Sequence, residues 1–298
     1  MTVEELESLR KTAQKKVVTG IIITALAVIL GIVLLGDYRP AIFILVIGAA
    51  ITTFVSMKPT REFKLAFKEM FVKKSLTAQF TDLKFEPEQG LDRSVIANTN
   101  MMYMGDRYSS NDYISGKYKD INVQQADVHI EEEHEYTDSD GNTHTTWVTI
   151  FKGRWLVFDF NKTFKANLQV CEKGFGNNKV SNWRSKLKYQ QVKMEDQEFN
   201  NQFKIYAQSD HEAFYILTPA LMQKIKTVND ALNGSLLFCF IDNKLHVGLQ
   251  NGQDSFEHSI FKPINEQEII ENVSRDIKVI TSFVDELDLD NDLFRREV

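Results

Sequence analysis

The sequence predicts an α+β cytosolic body following an N-terminal two-helix transmembrane hairpin. Three features predict it: two long uncharged apolar runs five residues apart, basic segments on both sides of that pair, and a longer remainder mixing alternating strand patterns with amphipathic helices. The first run, Val17 to Leu35, holds nineteen residues without a charge. As a helix it measures about 28 Å, close to the hydrocarbon thickness of a bilayer. The second run, Ala41 to Met57, holds seventeen and spans with little tilt. Buried core helices are the competing explanation, but a soluble core rarely supplies two all-round apolar helices with so short a link.

GDYRP, Gly36 to Pro40, is then the hairpin turn. A cleaved signal peptide fits poorly, because the apolar core exceeds the usual length of about 7 to 15 residues, no A-x-A site follows, and a second span begins at once. Lys and Arg set the orientation. Residues 1–16 carry Arg10, Lys11, Lys15 and Lys16; the turn carries only Arg39; the segment after the second span carries Lys58, Arg61, Lys64, Lys68, Lys73 and Lys74. Both termini and the main domain are expected in the cytoplasm, with those six side chains at the membrane surface.

The formal net charge of −6 conceals a basic collar of +4 over residues 58–74 and a body of −11 beyond it. Such a body is repelled by nucleic acid, and no basic stripe with interleaved aromatics offsets that. Within the spans, Gly20, Thr24, Ala27 and Gly31 share one helix face, as do Gly48, Ala49 and Thr52. Small residues let helices approach closely in lipid. Packing within the hairpin is the expected use, and homo-oligomer formation the alternative. No ionisable residue lies inside either span, which weighs against a transport pathway.

Residues 58–80 read as a basic amphipathic helix with Phe63, Ala66, Phe67, Met70 and Phe71 on one face. Two placements fit: flat on the inner leaflet, or a continuation of the second span. Residues 81–287 form the body, with a composition break near 172–182 that is either a boundary between two lobes or a surface loop, and 288–298 form a flexible tail. In the body, Asp140-Gly141 predicts a type I′ hairpin turn, Phe151 to Phe160 a half-buried strand, and Phe203 onward a further strand. A helix follows at about 220–233, then a hairpin about Asp242-Asn243. The last helix, 266–287, places Val273, Ile277, Ile280, Val284 and Leu287 on one seam, expected to pack on the chain's own sheet.

Motifs for chemistry fall short. DSDGN, from Asp138, lacks the glycine and the glutamate of a calcium loop. His129 and His134 are an odd number apart and point to opposite faces of a strand, and pairing about Asp140-Gly141 sets His144 on the face away from His134, so no metal site is expected. HEAFY, from His211, lacks the second histidine of a zinc helix, and no phosphate loop, dinucleotide fingerprint or nucleophile elbow is present. Cys171 and Cys239 are too few for a disulfide framework, and no cofactor or catalytic residue is assigned. The most distinctive soluble segment is Asn100 to Tyr118. Its Met101, Met102, Tyr103, Met104, Asp106, Arg107, Tyr108, Asp112 and Tyr113 suit an adaptable binding surface, while core packing is the more ordinary use of such side chains.

GDRYSSNDYISGKY (Gly105 to Tyr118), FKGRWLVFDFNKTF (Phe151 to Phe164) and EFNNQFKIYAQSDHEAFYILTP (Glu198 to Pro219), behind an N-terminal hairpin and FKLAFKEMFVKK, resemble the bacterial DUF3137 family of uncharacterised membrane-associated proteins. The resemblance runs from about Lys58 to Phe261 and implies a bacterial inner-membrane protein with a cytosolic α+β body; it brings no catalytic residue. Three function classes follow. The first is a scaffold presenting its domain to a protein partner at the bilayer. The second is a small-ligand sensor using the Met/Tyr segment. The third is an enzyme with an unrecognised site, for which Asp106, Asp112 and His211 are the titratable candidates.

Overall fold

A computed structural model of the 298-residue chain describes residues 1–36, 38–159, 167–173, 175 and 189–289. Most of the composition break near 172–182 and nearly all of the predicted tail lie outside them. The fold divides into two compact units, one of Met1–Ser75 with Phe256–Ser274, the other of Leu76–Ser255 with the chain from Arg275 onward.

The first unit contains α1 (Val3–Leu35) and α2 (Arg39–Phe67). α1 begins well before the apolar run because Thr2 and Glu5 form a reciprocal cap, each side chain accepting from the other's backbone N–H (3.2 and 2.8 Å). It stops at Gly36, whose φ of 63° is the left-handed closure that glycine adopts freely. Pro40 lies in the first turn of α2, where its missing N–H has no helical partner to lose. α2 then passes through Pro59 and beyond the apolar run, a π-turn (Lys68–Val72) follows, and α3 (Lys73–Thr77) ends the helical stretch. Residues 58–77 thus continue the second long helix.

Both helices are long and apolar enough to cross a membrane. Ile21, Ile22, Ile23, Leu26, Phe43 and Phe54 are each more than half exposed, so protein does not cover them. What joins the helices is close approach. A Cβ built on Gly20 would lie 2.5 Å from the Thr52 side chain, and one on Gly48 would lie 2.4 Å from Thr24. Gly31 faces Ile44, and Ala27 flanks the same seam.

The second unit is built on one nine-stranded antiparallel sheet in the order β1-β2-β3-β4-β9-β8-β5-β7-β6. Its strands are β1 (Thr81–Glu86), β2 (Arg107–Tyr118), β3 (Ile121–Thr137), β4 (Thr143–Asp159), β5 (Leu168–Glu172), β6 (Gln190–Val192), β7 (Phe203–Ala207), β8 (Ser235–Ile241) and β9 (Lys244–Gln250). The strands on either side of 172–182 therefore lie in one sheet. Among the described residues, four short helices, α4 (Arg93–Ala97), α5 (Gln197–Gln202), α6 (Asp210–Ile216) and α7 (Pro219–Ala231), come before α8 (Glu266–Glu286), whose residues from Arg275 on belong to this unit.

One sheet face buries Met101, Met102, Val128, Ile130, Phe151, Trp155 and Cys239 in a single cluster. The other buries Leu156, Phe158, Phe238 and Phe240. Phe283 of α8 packs there, its ring centroid 6.0 Å from that of Phe158 and 6.4 Å from that of Phe238. Residues 153–158 are accordingly buried on both faces, where alternation predicts a half-buried strand. Gly248 makes room for Trp155 across the ladder; a Cβ there would meet the indole at 2.8 Å.

Two further expectations change in detail. The β3–β4 turn is a five-residue loop, Asp138 to Asn142, closed by Asp138 rather than by Asp140-Gly141 alone. This register pairs His144 with Tyr136, so His144 shares a face with His134 instead of opposing it. Asp242-Asn243 does form the two-residue β8–β9 turn.

Leucine at position 20 or 48 drives a side chain into the opposing helix, which is expected to cost about 1 to 3 kcal/mol. Thermal melts of the detergent-solubilised chain should show Gly20→Leu and Gly48→Leu melting below the wild type, while Ile22→Leu, at an exposed position, leaves the midpoint unchanged.

Candidate functional site

At the base of the hairpin, the basic collar is partly neutralised from within its own unit. Glu257, in the loop between β9 and α8, lies 2.7 Å from Lys64 and 2.9 Å from Lys68. Burial alone would raise the Glu257 carboxyl, but the two ammonium groups outweigh it and hold the pKa below its usual value. His258 stacks on Phe67, with ring centroids 5.4 Å apart. Arg10 donates to Glu7, to Gln14 and to the Ile260 carbonyl (2.5 Å), and its hydrogen bonds lower the Glu7 pKa to about 2.

Of the six expected surface cations, Lys58, Arg61, Lys64, Lys73 and Lys74 are exposed. Lys68 is buried against Glu257, so it is no headgroup contact; the sequence placed it with the others because its acidic partner lies nearly two hundred positions away. Lys58 and Lys73 also approach Glu62 (3.9 Å) and Glu69 (2.5 Å).

In the second unit, the Met/Tyr segment is divided among three environments. Met101 and Met102 are fully buried in the core, and Met104, Tyr108 and Tyr113 pack against it half-buried. Tyr103 is exposed. Asp106 and Arg107 line an open depression of about 560 Å³ together with Arg93, Tyr108, Ser109, His129 and Glu131. Asp106 is pinned there, its N–H donating to the Glu131 carbonyl and its carboxylate accepting from the Glu133 N–H, both at 2.8 Å. Gly105 permits this approach, since a Cβ would meet the Glu131 carbonyl at 2.2 Å. Arg107 lies over the Trp147 ring, 3.3 Å from its centroid.

Asp112 faces elsewhere. It is buried at a β-bulge of β2, with φ of 57°, and accepts from the Asn111 amide at 2.7 Å. His211 is in the first turn of α6. The three titratable candidates Asp106, Asp112 and His211 therefore do not form one pocket, and among the described residues no group of three His, Cys, Asp or Glu is placed to hold a metal ion.

Two large perturbations involve residues that composition did not single out. Asp127 of β3 is 1% exposed and paired in register with Arg154 of β4. Burial pushes its pKa up to about 7, against the pull of Arg154 and Ser255; neighbouring Asp112 adds to the rise. Ser255 donates both its N–H and its hydroxyl to that carboxylate, the latter at 2.7 Å. Arg154 also grips Asp276 of α8, through the carboxylate and through the backbone carbonyl at 2.6 Å. On the opposite face, burial lowers the His246 pKa to about 4. Its Nδ1 accepts from the Trp155 indole N–H at 3.3 Å, a bond that requires the ring to be unprotonated there. These groups anchor a loop, a helix and an indole; none opens onto the depression.

Two measurements probe these groups. Glu257→Gln leaves Lys68 buried without its carboxylate and should lower stability by about 1 to 2 kcal/mol, read as a denaturant midpoint shift. The pH dependence has two opposed parts. Asp127 binds its proton more tightly when folded, so its contribution falls as pH rises from about 4 to 7. His246 binds its proton less tightly when folded, so its contribution rises over about 4 to 6.5. Melting of Asp127→Asn should therefore shift upward with pH across that window, and melting of His246→Gln should shift downward.

Among curated proteins, no sequence matches this chain. In fold it is similar to a crystal structure of the mycobacterial trehalose monomycolate transport factor A, TtfA, at 10% identity and a TM-score of 0.36 over 70% of this chain and 88% of that one, a likeness too loose to carry an argument. Residues 149–289 match the family model DUF3137, described as a protein of unknown function, the family that the sequence motifs resemble.

Proposed function

We propose that this chain is a two-pass protein of the bacterial cytoplasmic membrane whose α+β domain serves as an interaction or scaffold module at the inner leaflet. The observation that carries this reading is the pair of long helices whose isoleucine, leucine and phenylalanine side chains remain more than half exposed over their apolar runs. Such surface in water opposes solubility, and in lipid it is matched to its solvent. The distribution of Lys and Arg then orients both ends and the body toward the cytoplasm.

An interaction role is supported by what the domain offers. The buried carboxylate of Asp127 is committed to Ser255, and the polar depression is open and mixed in charge. A body of −11 favours protein partners over nucleic acid. Small-ligand binding is the second reading, and the depression holding Asp106, Arg107 and His129 is the place it would use.

The topology is tested with single cysteines at Tyr38 and at Asn251, in a chain carrying Cys171→Ala and Cys239→Ala. An impermeant thiol reagent applied to spheroplasts should label the Tyr38 site, and the Asn251 site only after permeabilisation. Labelling of the Asn251 site on sealed spheroplasts would overturn the cytoplasmic placement.

A further inference from the structure

β3 and β4 outrun the sheet that holds them. The β2 pairing with β3 ends at Arg107 opposite Glu131, and the β9 pairing with β4 ends at Gly153 opposite Gln250, yet β3 and β4 stay paired as far as Thr137 opposite Thr143. Residues 131–149 are therefore a two-stranded ribbon with, among the described residues, no third strand on either side. An isolated pair of strands is marginal in water, and each outer edge presents a row of backbone donors and acceptors to any strand that arrives.

The two edges are not alike. Along β3 the edge is capped where the ribbon leaves the sheet: the Asp106 N–H and carboxylate already occupy the Glu131 carbonyl and the Glu133 N–H. Glu131, Glu132, Glu133 and Glu135 would also set carboxylate against carboxylate if two copies met there. Along β4 the sequence from Thr143 is THTTWVTIF, nine residues with no Lys, Arg, Asp, Glu or Pro and rich in β-branched side chains. It carries none of the devices by which edge strands repel company, until the Gly252 N–H caps the Lys152 carbonyl at 2.9 Å.

We propose that this β4 edge pairs antiparallel with the same edge of a second copy, about a two-fold axis near Thr146, giving a four-stranded ribbon β3-β4-β4-β3. Centred there, Thr145 meets Trp147, His144 meets Val148 and Thr143 meets Thr149, pairs without like charges and of the kind that stabilise neighbouring strands. The acidic β3 strands stay outermost, three strand spacings or ~14 Å apart, beyond the ~8 Å screening length at physiological salt. A basic foreign strand is the rival occupant, but the carboxylates that would attract it lie on β3, whose edge Asp106 caps at Glu131 and Glu133. The pairing gives the interaction module of the proposed function its partner and rests on that reading in this respect.

The test uses the full chain in its native membrane, with Cys171→Ala and Cys239→Ala and single cysteines introduced by Thr145→Cys, Thr146→Cys, Val148→Cys or His134→Cys. On brief oxidation, Thr146→Cys should give a disulfide-linked homodimer, because residues at the axis come within the ~4.4 to 6.8 Å Cα separation that a disulfide spans. His134→Cys, one strand further out, should give at least about tenfold less, and adding Thr145→Lys to Thr146→Cys should cut the dimer about tenfold. Monomer alone at all three edge positions, equal yields at His134, or crosslinks only to a different protein would overturn the proposal. The topology labelling reads out separately: correct topology with no dimer removes the pairing alone, and inverted topology with a dimer removes the cytoplasmic reading alone.

Discussion

Burial of β4 on both faces is the constraint on which the body depends. Phe151 and Trp155 enter the cluster beneath Met101 and Met102, while Leu156 and Phe158 enter the opposite layer beneath Phe283. A strand buried on both sides cannot slip by one residue without exchanging its two cores. The pairing of Trp155 with Gly248 and of Arg154 with Asp127 adds shape and charge to that register. The Met/Tyr segment, the α8 contact and the position of the ribbon all follow from it.

The same strand explains why charge is found in the interior. Arg154 points into the layer occupied by α8, so it needs carboxylates, and Asp127 and Asp276 supply them. Buried pairs of this kind are weak evidence for stability, because removing charge from water offsets most of the attraction. Their effect is to specify position: Asp127 holds the backbone and hydroxyl of Ser255, and Arg154 holds α8 at one turn. A raised carboxyl pKa here is the signature of an anchor, whereas in an open pocket it would suggest a proton donor.

In the first unit different forces hold the structure. The α1–α2 seam is held by glycine opposite threonine, twice, the missing side chain letting the two helices approach closely. Below the apolar runs, ion pairs and stacked rings take over, with Glu257 between Lys64 and Lys68 and His258 on Phe67.

Elements whose signal is local can be read from the chain without its fold. Nineteen and seventeen uncharged residues define two long apolar helices whatever surrounds them, Asp242-Asn243 defines a turn, and the seam from Val273 to Leu287 defines a helix with one buried face. Gly20 and Gly48, which face Thr52 and Thr24, lie on helix faces that repeat every three or four positions. Tertiary structure decided what depends on partners far apart in the chain. Lys68 reads as a surface cation until Glu257 is seen beside it, and Asp127 reads as one polar residue on a strand until Arg154 and Ser255 surround it. Asp138 moved the turn and brought His144 to the face of His134 through a single side chain bonding to its own loop, a choice that Asp140-Gly141 did not reveal. Period and composition report the face a residue occupies; the burial and charge it meets there are set by whatever folds onto that face.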